Sequence, residues 1–305
     1  MLQHLDDRNL EILININGNL VPREEARVSP FDSLVQGGDG VWEGLRVYDG
    51  RIFKLEEHLD RMVSSAKALA FKAIPSKEEI IEQICRTLEA NQMRDGVHIR
   101  LTLSRGEKIT SGMDPRLNQS GPTLIVLAEW KTPVYEKSGL RLITSSVRRF
   151  PPDCLDPNIH HNNLIQSILA KVEANHAGAD DAILLDKQGF VAETNATHIF
   201  AVENGILLTP TTRACPEGVT RATVLDLCLE NDIPFEVCDL SLTHFFRADE
   251  VFTTGTMGEL AGVVEIDGRS IGEGDTKGKA PGPLTERLSN LFRDLTVKSG
   301  YIVSK

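Results

Sequence analysis

The chain has 305 residues, with 33 lysines and arginines against 44 aspartates and glutamates and a formal net charge of -11. This acidic balance excludes a nucleic-acid-binding surface, which needs a basic patch. Five scattered cysteines without a paired spacing predict reduced thiols in a cytoplasmic protein. No apolar run approaches the length of a membrane span and no leader-like apolar segment opens the sequence, so neither a membrane anchor nor a signal peptide is expected.

The first half of the chain is typical of an α+β arrangement. Asn17 and Gly18 tolerate positive φ and predict a hairpin turn after an alternating strand. Ser76 with Glu79 three residues later predicts a capping box at the start of a helix. The predicted elements of this half are strands over 11–16, 41–48, 51–55, 97–103 and 123–128, and helices over 55–71 and from residue 76 onward.

The second half mixes strands and helices after a polar stretch at 131–139, which contains Pro and Gly and is the predicted linker. We expect a smaller α+β domain over 1–130 and a larger domain over 140–305. The predicted elements of the larger domain are strands over 140–147, 182–185, 190–193, 197–202 and 250–254, and helices over 163–176, 220–231 and 284–295.

Four short motifs, in the chain order Arg61, Glu193, Thr220 and Thr256, have the chemistry of an anion site with a carboxylate nearby. Arg61 lies on a predicted helix, and a guanidinium can donate hydrogen bonds to two phosphate oxygens at once. Thr220 follows a glycine at a helix N-terminus, where unpaired N–H groups attract a phosphate. Thr256 follows Gly255, which permits close approach of the backbone. Glu193 ends a predicted strand. Taken alone, Arg61 also fits an exposed helical arginine, and Thr220 an ordinary helix start. Thr256 also fits a polar turn, and Glu193 a solvated glutamate.

Together these motifs, over residues 31–287, resemble the fold-type IV (class IV) pyridoxal-phosphate (PLP) enzymes, the branched-chain aminotransferase and aminodeoxychorismate lyase group. The resemblance implies a mixed α/β fold of two domains, the larger with a β-barrel-like core, a cofactor between them, and a homodimer. It implies that Glu193 bonds the pyridine nitrogen of PLP, which makes the ring an electron sink. The other cofactor-binding residues that it implies are Arg61, Asn195, Ala196, Val219, Thr220, Gly255 and Thr256.

The Schiff-base lysine of that family has no counterpart here, because no lysine lies between Lys137 and Lys171. Ungapped alignment puts His160 at its position, and a one-residue shift puts Ile159 there. Neither side chain forms an imine. An imidazole of His160 or His161 could serve as the base instead, since its ordinary pKa is close to neutrality.

Three other interpretations of this segment stay open. The two histidines could bind a metal, although no third ligand is evident and we expect no metal site. The segment could be a plain loop in which Asn162 or Asn163 caps the next helix. Lys277 or Lys279, in an insertion over 275–281, could supply the missing amine.

The predicted function is therefore that of a class IV aminotransferase-like protein. We expect it to act on a branched-chain type amino acid or an aminodeoxychorismate-like substrate through PLP held without a lysine imine. Arg105 and Arg116 lie where family members recognise a carboxylate. The alternative is a non-catalytic or PLP-independent descendant of the fold that binds a small molecule.

Overall fold

The computed structural model describes residues 3–132, 139–274 and 277–303. They form two compact units. The N-terminal unit comprises residues 3–132, 159–163 and 296–303, and the C-terminal unit comprises residues 139–158 and 164–295. Most of the predicted linker at 131–139, and the first two residues of the insertion over 275–281, lie outside the described residues. Within the described part of the chain, no helix combines the length and the apolar character needed to cross a membrane.

Helices and strands are interspersed along the chain, which is typical of a mixed α/β fold. The α-helices are α1 (Ser33–Gly37), α2 (Leu55–Ala68), α3 (Lys77–Ala90), α4 (Ile165–His176), α5 (Val219–Glu230), α6 (Leu242–Phe246) and α7 (Pro283–Lys298). The strands are β1 (Leu13–Ile16), β2 (Asn19–Pro22), β3 (Gly40–Tyr48), β4 (Arg51–Ile52), β5 (Val97–Ser104), β6 (Thr123–Trp130), β7 (Leu140–Arg148), β8 (Asp181–Leu185), β9 (Val191–Thr194), β10 (His198–Glu203), β11 (Ile206–Pro210), β12 (Phe235–Cys238), β13 (Glu250–Gly255), β14 (Glu259–Ile266), β15 (Arg269–Ser270) and β16 (Tyr301–Ile302).

The N-terminal unit is an antiparallel sheet in the order β16-β4-β3-β5-β6-β1-β2. The predicted hairpin is confirmed, since Asn17 and Gly18 have φ of 52° and 83° between β1 and β2. The capping box of α3 is also confirmed, with Ser76 and Glu79 bonded reciprocally. The apolar faces of α2 and α3 bury Leu59, Met62, Ile80, Ile84 and Leu88 in one core.

The strand predicted over 51–55 is wrong beyond Ile52. Lys54 has a left-handed backbone with φ of 51°, and α2 begins directly after it at Leu55. A strand cannot continue through a left-handed residue, so the chain turns there and enters the helix.

Residues 159–163 belong to the N-terminal unit and lie along the first part of β3. The Trp42 N–H donates to the His160 carbonyl at 3.1 Å, and the Asn162 N–H donates to the Gly40 carbonyl at 2.9 Å. On that side β4 pairs only with Val47 and Tyr48. The segment therefore satisfies backbone groups of β3 that β4 does not reach.

The interpretation of this segment as a helix cap is wrong. Helix α4 begins at Ile165, and its N-cap residue Leu164 makes no side-chain cap bond. Asn162 accepts a hydrogen bond from Arg100, and the Asn163 side chain donates to the Gly38 carbonyl. Both amides bind the N-terminal unit, so neither is available to the helix.

The C-terminal unit is a mixed sheet in the order β12-β11-β10-β13-β14-β7-β8-β9, with β15 beside β14. The pairs β11–β12, β14–β7 and β7–β8 are parallel, and the others are antiparallel. Helix α4 packs Ala170 and Ala174 against Ala182 and Leu184, and α5 packs beside β13. Sequence analysis missed β14 because its strand pattern is interrupted by Gly262, where a Cβ would meet Ala280 Cβ at 2.7 Å.

Candidate functional site

A fully buried carboxylate, Glu43, organises one cluster in the N-terminal unit. Arg61 donates to it twice, from Nε to Oε1 at 2.8 Å and from Nη2 to Oε2 at 2.6 Å. The Nδ1 atom of His58 lies 2.6 Å from Oε2, and that of His160 lies 3.2 Å from Oε1. Burial opposes ionisation, but the facing side chains of His160 and Arg61 hold the pKa of Glu43 well below its ordinary value.

His160 is held through both its backbone and its ring. Its backbone N–H donates to Ser65 Oγ at 3.0 Å, and its ring stacks on Trp42 with centroids 4.3 Å apart. Its Nδ1 lies 2.5 Å from the Trp42 carbonyl as well as near Glu43. Burial lowers the pKa of His160, while Glu43 acts in the opposite direction. The ring is therefore neutral near pH 7.

His161 makes different contacts from those of His160. Its Nδ1 accepts the Asn163 N–H at 3.1 Å, and its carbonyl accepts from Trp42 Nε1 at 3.1 Å. The two imidazoles thus make separate contacts, which does not favour a metal held between them.

Arg100 on β5 is a basic residue that sequence analysis did not single out. Its guanidinium lies 3.5 Å from the centre of the Trp42 ring, and Nη2 donates to Asn162 at 3.1 Å. Burial lowers the pKa of Arg100 to about 10, so it stays cationic at neutral pH. Among the described residues no carboxylate forms a hydrogen bond with it.

The two arginines that were predicted to bind a carboxylate both have partners within the N-terminal unit. Arg105 donates to both oxygens of Asp39, at 2.6 and 3.0 Å, and to nearby backbone carbonyls. Arg116 is exposed and is bonded to Asp114, two residues away.

The C-terminal unit has its own buried carboxylate, Glu193, at the end of β9. Arg149 Nη2 lies 2.8 Å from Glu193 Oε1, and the same arginine donates to Ser167 Oγ at 3.2 Å and to the Thr194 carbonyl at 3.3 Å. Arg149 was not predicted from the sequence. Its position depends on the path of the chain after β7, which no local pattern indicates.

The other predicted cofactor residues of this unit converge around His198 on β10. His198 lies opposite Thr254 in the pairing of β10 with β13. A Cβ on Gly218 would lie 2.2 Å from the His198 ring, so only glycine fits there. Gly255 packs closely on Thr197, since a Cβ at Gly255 would lie 3.0 Å from Thr197 Cγ2. The turn containing Asn195 and Ala196 therefore lies against the turn containing Thr256.

This arrangement leaves a set of unsatisfied donors. Helix α5 begins at Val219, its N-cap residue Gly218 provides no side-chain cap, and Thr220 is buried in its first turn. The hydroxyls of Thr253 and Thr254 are buried and have no hydrogen-bond partner among the described residues. Neighbouring side chains of a strand point to opposite faces, so only Thr254, which lies opposite His198, turns its hydroxyl towards the start of α5. Helix N–H groups beside such an orphaned hydroxyl fit a bound phosphate. The residues present therefore fit the phosphate of PLP.

Glu193, His198 and Cys215 place potential metal-ligand atoms within 4.8 Å of one another. The Arg149 cation, however, already pairs with Glu193. Burial, with Glu193 adding to it, raises the pKa of Cys215 well above its ordinary value and keeps the thiol protonated. A cation site needs a thiolate and an uncompensated carboxylate, so this trio is a poor one.

Comparisons with known proteins agree with this geometry. The family model described as amino-transferase class IV matches residues 40–266. The chain is 57% identical over 293 residues to branched-chain-amino-acid aminotransferase-like protein 2 of Arabidopsis thaliana, covering 96% of this chain and 52% of that protein. It therefore spans about half the length of this relative. It is 42% identical to a putative branched-chain-amino-acid aminotransferase of Methanocaldococcus jannaschii, covering 95% and 98% of the two chains.

Solved structures give the same result. The chain matches the branched-chain amino acid aminotransferase of Thermobaculum terrenum in its PLP-form (holo-form), with a TM-score of 0.83, 27% identity and coverage of 94% of each chain. It also matches the Escherichia coli branched-chain amino acid aminotransferase, with a TM-score of 0.86, 28% identity and coverage of 94% and 95%. The fold is that of fold-type IV, as the sequence predicts.

Proposed function

We propose, from the premise that this chain belongs to the class IV aminotransferase family, that it acts on an amino acid through PLP that is bound without a lysine imine. Branched-chain amino acids are the proposed substrate class, because the relatives of the chain bear that name. The observation that carries the proposal is the orphaned hydroxyl of Thr254, on the same face of the sheet as His198, together with the uncapped start of α5.

The phosphate is assigned to residues that offer donors. Val219 and Thr220 contribute the first turn of α5, and Gly255 and Thr256 contribute the turn after β13. Arg61 is proposed as the cationic partner of the same phosphate. This assignment rests on the family resemblance, because Nε and Nη2 of Arg61 already bond Glu43.

The pyridine ring is assigned to Glu193, with Asn195 and Ala196 in the adjoining turn. When bound, PLP supplies an aldehyde that condenses with an amine and a ring that withdraws electrons from the α-carbon of the substrate. Glu193 would accept a hydrogen bond from the ring nitrogen, and Arg149 holds the carboxylate in place from the other side. Burial of both side chains keeps this contact away from bulk water.

Proton transfer is assigned to His160, which ungapped alignment puts at the position of the family lysine. It cannot hold the cofactor covalently, but a neutral imidazole can accept a proton and return it. His161 remains a secondary candidate, because its Nδ1 is already an acceptor for Asn163.

The substrate carboxylate is proposed to bind an arginine. Arg105 and Arg116 remain candidates from the sequence, each already paired with an aspartate. Arg100 is the stronger candidate in the structure, since its cationic guanidinium forms no hydrogen bond with a carboxylate of the described residues.

A non-catalytic, small-molecule-binding role is the second candidate function. It is favoured by the pairing of Glu43 with Arg61 and of Glu193 with Arg149, which balances both buried carboxylates without any ligand. Such a protein would bind PLP or an amino acid but would not transfer an amino group.

A homodimer is also proposed, with α4 in the contact. The polar side chains Lys171 and Glu173 of this helix turn inward, onto the Asp180 carbonyl and onto two serines. An apolar stripe faces outward and is 43–57% exposed, formed by Ile165, Ile168, Leu169 and Val172. An uncharged stripe of this kind is complementary to itself across a two-fold axis. Light scattering should show a dimer that Ile168→Glu converts to a monomer.

The proposed function is tested by loading the purified protein with PLP and adding leucine, valine or isoleucine with a keto-acid acceptor. We expect visible absorbance that gel filtration removes, and slow amino transfer to the acceptor. Absorbance without transfer would support the binding role. A protein that takes up no PLP would contradict the first candidate and the PLP-binding form of the second.

A further inference from the structure

We propose that Glu43 is the positioning residue of His160, and that the two form a proton-transfer dyad with the Nε2 atom of His160 as its working end. The inference rests on the proposed function for the identity of the proton that moves. It rests for its geometry on contacts within the N-terminal unit alone.

The hydrogen-bond partners of His160 determine its tautomer. Nδ1 faces two oxygens, the Trp42 carbonyl at 2.5 Å and Glu43 Oε1 at 3.2 Å. Neither oxygen can donate, so the hydrogen must be on Nδ1. The lone pair of the neutral ring is then on Nε2, which has no hydrogen-bond partner among the described residues. The side chain remains 13% exposed, so Nε2 is not sealed from its surroundings.

A carboxylate at Nδ1 also prepares the ring to carry a charge. When Nε2 accepts a proton, the positive charge of the imidazolium lies next to the ionised Glu43, which stabilises it. The new bond is Nε2–H, the bond that breaks is the C–H bond at the α-carbon of the substrate, and its electron pair stays with that carbon. The imidazolium then returns the proton, so His160 is unchanged at the end.

The other groups that face His160 support this role. Arg61 and His58, both on α2, bond the two oxygens of Glu43 and fix the rotation of its carboxylate. Ser65 on the same helix holds the His160 backbone, and Trp42 on β3 covers the face of the ring. The carboxylate therefore cannot turn away from Nδ1 without breaking three other bonds.

The dyad is tested by nitrogen NMR of the histidines in the protein without added cofactor, with the His160 signals assigned from a His160→Gln variant. We expect a single Nδ1–H tautomer at His160. Glu43→Gln keeps the shape but removes the charge, so the pKa of His160 should fall by about 1 to 3 units. His58→Gln is the matched control, because it removes an imidazole from the other oxygen of Glu43 and should leave the tautomer of His160 unchanged.

An Nε2–H tautomer in the unaltered protein would overturn the proposal, even if Glu43→Gln fails to fold. An unchanged His160 pKa in a folded Glu43→Gln variant would overturn it as well. Both readings are made without PLP, so they are separate from the loading experiment that tests the proposed function.

Discussion

Arg149 and Glu193 form a nearly buried ion pair, with Nη2 and Oε1 2.8 Å apart and side-chain exposures of 14% and 7%. These residues lie far apart in sequence, on the segment after β7 and at the end of β9. The pair neutralises the carboxylate that the family resemblance assigns to the cofactor ring. It therefore preserves the shape and charge of this part of the C-terminal unit in the absence of any ligand.

Replacing Arg149 with Met should destabilise the fold by about 3 to 5 kcal/mol, because it removes the cation that pairs with the buried Glu193 charge. Urea unfolding measures the change. Glu193→Gln introduced into the same variant should recover part of the loss. Arg148→Met is the control, since it removes the same charge from an exposed neighbour, and an equal loss there would contradict the assignment.

Replacing Arg61 with Ala should weaken PLP binding by about 1.5 to 3 kcal/mol, the scale of a charge-assisted hydrogen bond. A titration followed by absorbance measures the affinity, and a separate unfolding curve measures the cost of removing the arginine from Glu43, which keeps its contacts with His58 and His160. Lys67→Ala is the matched control, because Lys67 is an exposed cation on the same helix. Equal affinities in the two variants would remove Arg61 from the phosphate site.

Acid should destabilise the protein through His98 on β5. Burial first, and the nearby Lys131, Arg100 and Arg46, lower the pKa of His98 to about 3. Between its ordinary pKa of about 6.5 and this value, the unfolded chain takes up a proton that the folded chain does not. Stability is therefore lost as the pH falls through this window, on the order of 3 to 5 kcal/mol in total.

The matching measurement compares unfolding free energies at the two ends of that window. His98→Gln should show a smaller loss than the unaltered protein, and the exposed His4→Gln should show the same loss. An undiminished loss in His98→Gln would place the acid sensitivity elsewhere.

His160→Lys should create the amine that the family uses, and we expect the variant to gain the absorbance of a lysine imine with PLP. Ile159→Lys should not, because Ile159 packs against the apolar core of the N-terminal unit. Absorbance gained by Ile159→Lys alone would show that the alignment is off by one residue.

The sequence predicts most of the fold because its local signals are strong. The Asn17-Gly18 turn, the Ser76 cap and the alternating strands each act over a few residues. The two errors differ in origin, since the first is local and the second depends on distant residues. Left-handed Lys54 ends a strand that the apolar pattern would extend, and the amides of Asn162 and Asn163 bind another segment rather than the helix that follows them.

The proposed site follows from the sequence only where short motifs carry the chemistry. Glu193, Thr220 and Thr256 belong to such motifs, and the structure brings their segments together around His198. The partners of the two buried carboxylates were not predictable. Glu43 and His160 are 117 positions apart in the sequence, and Arg149 and Glu193 are separated by a helix and a strand. Only the fold brings the members of each pair together.

The central claim is that PLP binds here without a protein imine, and reduction with borohydride followed by peptide mapping tests it most directly. The protein loaded with PLP should retain no pyridoxyl group on any lysine after reduction, while a reduced sample with an amino acid present should yield the pyridoxyl amino acid in solution. A pyridoxyl adduct on any lysine of the chain, including Lys277 and Lys279, would contradict the account.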